Sequence, residues 1–233
     1  MSFFQISPAE LSALRLSVSV ALWALGLSLV PGVLFGWLLA RRDFRGKSLV
    51  DAVLHLPLVV PPVVTGYVLL RLLGTRGLLG RWLADTFDVH IAFTWRAAVI
   101  AAAVMGFPLL VRAVRLGVEL VDRRLEQAAA TLGAAPWRVL ATVTLPLAMP
   151  GILTGAVLAF ARSLGEFGAT ITFAGNLPGE TRTLPLAVYG FLQQPGGDAA
   201  AMRLVVISVA LSLAALLVSE TLARRVSYRL GHR

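Results

Sequence analysis

"LSVSVALWALGLSLVPGVLFGWLLA", residues 16–40, holds no acidic residue, no Lys, no Arg and no His. About 20 apolar residues cross the hydrocarbon core of a bilayer, so this stretch alone predicts a membrane-spanning helix. Four more follow along the chain. Residues 52–70 contain no charge beyond what His55 can carry, and residues 97–111 are uncharged but short. The latter need Trp95 and the long stems of Arg96 and Arg112 to reach the interfaces. Residues 147–170 carry only Arg162 and Glu166, and residues 204–219 are apolar before Glu220, Arg224 and Arg225. The chain of 233 residues is 58% hydrophobic and 14% charged, against about a quarter charged in soluble domains. A soluble helical protein would have to hide all these segments while showing too little charge to stay dissolved. The expected fold is therefore all-α and polytopic, with five to six transmembrane helices in one domain, 1–233.

The basic residues orient it. Three regions, 41–47, 112–138 and 224–233, hold 13 of the 21 Lys and Arg residues. Cytoplasmic loops carry the excess of positive charge, which predicts an outside N-terminus and an inside C-terminus. The formal charge of +9 is thus a topology signal and implies no nucleic acid. A cleaved signal peptide fits poorly, because residues 16–40 are too long and the basic cluster follows them.

Within these spans Pro31 is expected to bend the first, and Gly32 and Gly36 to let another helix approach. The second reads "LPLVVPPVVTGY" over residues 56–67. Pro57, Pro61 and Pro62 remove backbone donors, so a straight helix cannot pass. Broken backbone at membrane depth persists where protein or a water-lined cavity satisfies it. Pro61, Pro62, Thr65 and Gly66 therefore either line a pathway or kink one helix for packing; both readings are open. Residues 74–96 predict a short helix at the outer interface, anchored by Trp82 and Trp95.

Residues 125–150, "LEQAAATLGAAPWRVLATVTLPLAMP", differ in kind from the spans beside them. Leu125, Ala129, Leu132, Pro136, Leu140 and Val143 recur with the period of a buried helical face. Gly133 suits a helix end with positive φ, Ala134 and Ala135 turn the chain, and Pro136 suits the first turn of a second helix carrying Trp137 outward. Two short helices, too polar for lipid and too small for a domain, predict a docking surface for a cytoplasmic partner.

This stretch resembles the cytoplasmic loop of ATP-binding-cassette importer permeases, where Glu-Ala-Ala is followed by Gly and then by Leu-Pro. Gln127, Ala128, Ala129, Gly133, Leu145 and Pro146 match the pattern, with Gln127 in place of Glu and Glu126 just before it. Glu126 would point about 100° from that first position on a helix. The resemblance implies a type I permease fold with a coupling loop over 119–146 seated on a separate ATPase, which binds ATP-Mg. Two further blocks, 55–74 and 162–189, resemble the molybdate permeases of that family, with the sulfate permeases as neighbours. This second resemblance implies a subunit of the cytoplasmic (inner) membrane that imports molybdate, with tungstate as a co-substrate. Its implied partners are a second copy, two ATPase subunits, an external molybdate-binding protein and membrane lipid.

The chain shows no energy source of its own. Its single lysine, Lys47, lies in no phosphate-binding loop, since Arg41 stands where the first glycine belongs. With no cysteine and scattered His55, His90 and His232, no metal cluster is expected, nor any enzyme activity or bound cofactor. Five spans enclose a hydrophilic path poorly, whereas two copies on a two-fold axis enclose it readily. The rival class, a secondary transporter or channel, would call for acidic residues at mid-membrane, where Glu166 is the sole candidate. Arg162, Gly165 and Glu166 are expected beside the path. Arg162 and Glu166, four apart, either brace one another or leave Arg162 for transient contact with the anion or for ordering a loop.

Overall fold

Ser7 and Glu10 start the first helix by a reciprocal cap. The Ser7 hydroxyl accepts from the Glu10 amide at 3.3 Å, and the Glu10 carboxylate accepts from the Ser7 amide at 2.6 Å, satisfying two amides that the helix leaves bare. The computed structural model describes residues 6–229. From the cap, α1 (Pro8–Arg41) runs through Pro31 as one helix. The paired helices α2 (Lys47–Val59) and α3 (Pro62–Leu73) come next, then α4 (Leu78–Phe87) and α5 (Trp95–Glu119). The cytoplasmic-type element continues the chain as α6 (Arg123–Thr131) and α7 (Pro136–Val139), the latter running through a π-helical turn, Leu140–Thr144, into α8 (Leu145–Leu164). Finally come α9 (Gly168–Phe173), α10 (Leu184–Leu192) and α11 (Asp198–Arg229).

Among the described residues, four helices are long and apolar enough to cross a bilayer: Pro8–Arg41, Trp95–Glu119, Pro136–Leu164 and Asp198–Val218. The pair α2 and α3 makes a fifth if counted as one span, although its axes differ by 114°. The break falls at Val60 and Pro61, where prolines 61 and 62 cannot donate to the carbonyls four residues before them. No sixth span stands among the described residues. Of the expected C-terminal basic cluster, the side chains of residues 224–233 lie outside the described residues.

The core is built on α5, and glycine decides how close its neighbours come. A Cβ placed on Gly32 would lie 2.5 Å from Leu110, and one on Gly36 would lie 2.6 Å from Val114, so the expected helix approach is that of α1 to α5. On the other side, a Cβ on Gly151 of α8 would lie 2.6 Å from the Gly117 Cα, backbone against backbone. Small residues let helices meet where lipid supplies no hydrophobic drive. Ala97, Ala98, Ala101 and Ala102 are fully or almost fully buried in the same core.

At the third and fourth spans the helix ends differ from expectation. Charge predicts the third span over 97–111, yet α5 continues through Arg112 and Arg115 to Glu119. Arg115 reaches Asp51 of α2 at 3.2 Å and Glu119 at 2.8 Å, so its charge is met by protein beyond the apolar stretch. The fourth is expected to run to Thr170, yet α8 stops at Leu164 and the short α9 starts anew at Gly168.

Candidate functional site

The loop 119–146 folds as two helical pieces with a tight turn between them. Asp122 caps α6, its carboxylate accepting from the Arg124 amide at 2.9 Å, a bond that satisfies a bare helix-start amide. At the far end the amides of Gly133 and Ala134 donate back to the carbonyls of Ala130 and Ala129 at 3.0 and 3.1 Å. That closure needs a left-handed residue, and Gly133 has φ +84°. The second piece is not a separate short helix but the foot of the fourth span, continuous over Pro136–Leu164. Pro146 cannot donate to Thr142, and the ladder shifts to a π turn in which Leu145 donates to Leu140.

The predicted buried strip is not buried. Leu125 is 50% exposed and Leu132 90%, while Ala129, Leu140 and Val143 are half-buried; Trp137, expected to point outward, is 68% exposed. The 3.6-residue period marks an apolar face correctly, but it does not say what covers it. Gln127, Ala128 and Pro136 are exposed, Ala134 is half-buried, and Leu145 and Pro146 are half-buried at the foot of α8. The Arg138 guanidinium lies 5.6 Å over the Trp137 ring, holding that indole outward by a cation–π contact.

Beneath this outward face sits an ion pair that the sequence does not announce. Arg41, the last residue of α1, places Nε 3.0 Å from a carboxylate oxygen of Glu126, with side-chain exposures of 8% and 17%. Arg41 Nη2 donates to the Val121 carbonyl at 2.8 Å. The Thr144 hydroxyl donates to Glu126 at 2.6 Å. Glu126 thus points inward, away from Gln127, and its charge is spent within the chain. Beside the pair lies a recess of about 320 Å³ lined by Trp37, Arg42, Arg123 and Gln127, among others. Lys47 donates to Asp43 at 2.8 Å in the adjoining turn, and this bond holds the Asp43 carboxylate below its usual range.

The segments that carry the two other groups of candidate residues meet through α9. A Cβ on Gly66 would lie 2.6 Å from the Ala169 carbonyl, and one on Gly168 would lie 2.7 Å from Pro62. Thus α3 rests directly on α9, and Gly66 is buried in that contact. Pro61 is exposed, and Pro62 and Thr65 are half-buried. At the break between α8 and α9, Gly165 caps α8 at φ −90°. There Arg162 and the buried Glu166 form an ion pair at 2.6 Å. The second Glu166 oxygen accepts from the Ala169 amide at 2.8 Å. The pair is therefore not one face of one helix; it bridges a helix end to the helix that comes after it.

Further polar groups fix the frame. Glu10 and Arg203 pair at 2.9 Å, and the Leu184 amide donates to Ser17 at 2.6 Å. The Asp51 carboxylate stands 3.2 Å from Arg115, and His55 Nδ1 bonds the Asp51 backbone carbonyl at 2.8 Å, so His55 is a hydrogen-bonded packing residue of α2. The Ser163 hydroxyl donates to the Ala102 carbonyl at 3.2 Å. Among the described residues, no three His, Cys, Asp or Glu side chains group as a metal site.

The family model described as "Binding-protein-dependent transport system inner membrane component" matches residues 32–228. The chain is 58% identical over 226 residues to the "Molybdenum transport system permease protein ModB" of Escherichia coli strain K12, covering 97% of this chain and 99% of that one. It is 37% identical over 227 residues to the "Sulfate transport system permease protein CysT" of the same strain, covering 97% and 81%. In fold it matches a chain from inward-facing conformations of the MetNI methionine ABC transporter with a TM-score of 0.73, at 17% identity, covering 93% and 95%. That likeness establishes the type I importer permease fold for the expected all-α architecture.

Proposed function

The chain belongs to the family of binding-protein-dependent transport system inner membrane components, and we propose that it is the permease subunit of an ATP-driven molybdate importer. The observation that carries this reading is its 58% identity, over nearly the full length of both chains, to a molybdenum transport permease. It is a transmembrane subunit and not an enzyme. Two copies form the path on a two-fold axis, two ATPase subunits bind ATP-Mg below it, and an external binding protein delivers the anion. Molybdate enters and leaves unchanged, and tungstate, of the same charge and shape, takes the same route.

The local geometry supports the role of each segment. Leu125, Leu132 and Trp137 present an apolar row on a clamped element. This is the form a docking surface takes when its partner is a separate protein. The α3–α9 contact sets Pro62 against Gly168 and Gly66 against Ala169, and Glu166 holds the Ala169 amide, which supports reading the two broken segments as one place beside the path. Arg162 spends its charge on Glu166 and acts there as a brace. A full unpaired positive charge would hold a dianion too tightly to pass it on.

Uptake into vesicles that contain the assembled complex tests the reading. The expected result is ATP-dependent accumulation of labelled molybdate that requires the binding protein and is competed by tungstate. Accumulation of sulfate in preference to molybdate would transfer the chain to the sulfate permeases, to which it is 37% identical. Uptake without ATP would place it among secondary transporters.

A further inference from the structure

Four segments of the chain meet at one ion pair. Arg41 ends α1, pairs with Glu126 of α6 at 3.0 Å and donates to Val121, just past α5, at 2.8 Å. Glu126 also accepts from Thr144, at the foot of α8, at 2.6 Å. We propose that Arg41 is the positioning residue of the coupling step, through which a displacement of α6 reaches α1, α5 and α8 together. The proposal rests on the reading of residues 119–146 as the ATPase contact.

Its physical basis is that, among the described residues, the side-chain hydrogen bonds from α6 to the bundle all run through Glu126. No side chain of α6 is buried, so packing alone does not fasten that helix to the bundle. Arg41 and Glu126 are mostly shielded from water, where screening is weak. The guanidinium is a rigid planar fork that serves two acceptors at fixed angles. A lysine ammonium, a point charge on a flexible stem, does not reproduce that geometry. Moreover, α1 is a strut with both ends fixed. Its outer end pairs through Glu10 with Arg203 and through Ser17 with Leu184. Its middle interlocks with α5 at Gly32 and Gly36. A loop fastened to such a strut moves the bundle, whereas a loose loop moves only itself.

The chain has no cysteine, so two introduced ones are the only cysteines in each copy of it. Arg45→Cys and Gln127→Cys replace exposed residues on either side of the pair, and spin labels there report the distance from the end of α1 to α6 in the assembled complex. With Arg41 intact, the distance is expected to be narrow and unchanged between nucleotide-free and ATP-trapped states. Arg41→Met is expected to broaden it and to lower the molybdate carried per ATP hydrolysed about tenfold, within the range usual for coupling between two sites. The ATPase subunit should still co-purify. Arg41→Lys should fall between, and adding Glu126→Gln to Arg41→Met should cost little more, because the two residues act as one unit.

A label distance that changes with nucleotide while Arg41 is present overturns the proposal. So does an unchanged transport-to-hydrolysis ratio in Arg41→Met, or a parallel loss of assembly, hydrolysis and transport. Failure of the underlying reading has its own signature: Gln127→Cys would not cross-link to the ATPase subunit, and the label distance would be unaffected by that result.

Discussion

Arg162 and Glu166 face each other at 2.6 Å although the helix that carries the arginine ends between them, at Leu164. The pair therefore holds α9 to α8 as a clasp, with Glu166 also receiving the Ala169 amide. Removing one partner leaves a buried charge without its match, which costs about 3 kcal/mol or more, whereas removing both charges costs far less. Arg162→Met should accordingly lower the thermal stability and yield of detergent-extracted complex more than Arg162→Met with Glu166→Gln. Thermal unfolding of the parent and the two variants checks this. Intact assembly with a selective loss of uptake in Arg162→Met would instead make the arginine a contact of the anion.

The α5–α8 crossing yields a sharper contrast. A Cβ on Gly151 would meet the Gly117 Cα at 2.6 Å, and backbone does not step aside as a side chain does. Gly151→Val should destabilise the fold by about 1–3 kcal/mol or more. Gly26→Ala, in α1 with nothing within 4 Å, should be neutral or stabilising by up to about 1 kcal/mol, since alanine favours helix. Folded yield by size-exclusion chromatography separates the two.

Gly133 is held by its backbone angle alone: φ is +84° and a Cβ there meets nothing within 4 Å. Gly133→Val should cost about 1–2 kcal/mol through the left-handed conformation, and Gly133→Asn clearly less. Because the strain sits in the loop, the spans should remain folded while the ATPase subunit is lost on affinity purification. Equal retention of that subunit by Gly133→Val and the parent would remove the turn from the contact.

Leu132 and Trp137 are 90% and 68% exposed, so truncating them should change the stability of the permease by less than about 0.5 kcal/mol. Trp137→Ala should nonetheless weaken ATPase binding by about 2 kcal/mol, roughly thirtyfold, as expected for an aromatic anchor. Titration of the solubilised permease with the ATPase subunit measures it. Unchanged affinity for both variants would leave the apolar row without a partner there.

The spans are legible in the sequence because a run of some twenty residues without charge is rare outside a bilayer, and the docking loop because Gly133 and Pro136 punctuate an amphipathic pattern. The features that stay hidden depend on partners distant in sequence. Nothing near Arg41 points to Glu126, and hydropathy does not register the stop after Leu164, since α9 is as apolar as the end of α8. Arg112 and Arg115 look like the end of a span when charge is equated with contact with water, whereas Asp51 and Glu119 meet Arg115 within the protein. The period of residues 125–143 identifies an apolar face, while its exposure comes from the clamp beneath it, which turns Glu126 inward and that face out. The contact of Gly66 with Ala169 joins two broken segments, of which the prolines 61 and 62 announce only the first.

The length of α1 has a consequence for the lipid around it. Its uncharged stretch, residues 16–40, spans about 38 Å at 1.5 Å per residue, beyond a hydrocarbon core of about 30 Å. A free helix of that length would relieve the mismatch by leaning further in a thinner bilayer. This one has an ion pair at each end, Glu10 with Arg203 and Arg41 with Glu126, so its inclination is set by protein. The surrounding lipid must then stretch or thin to meet it, and a change of acyl-chain length acts on the complex as a mechanical load.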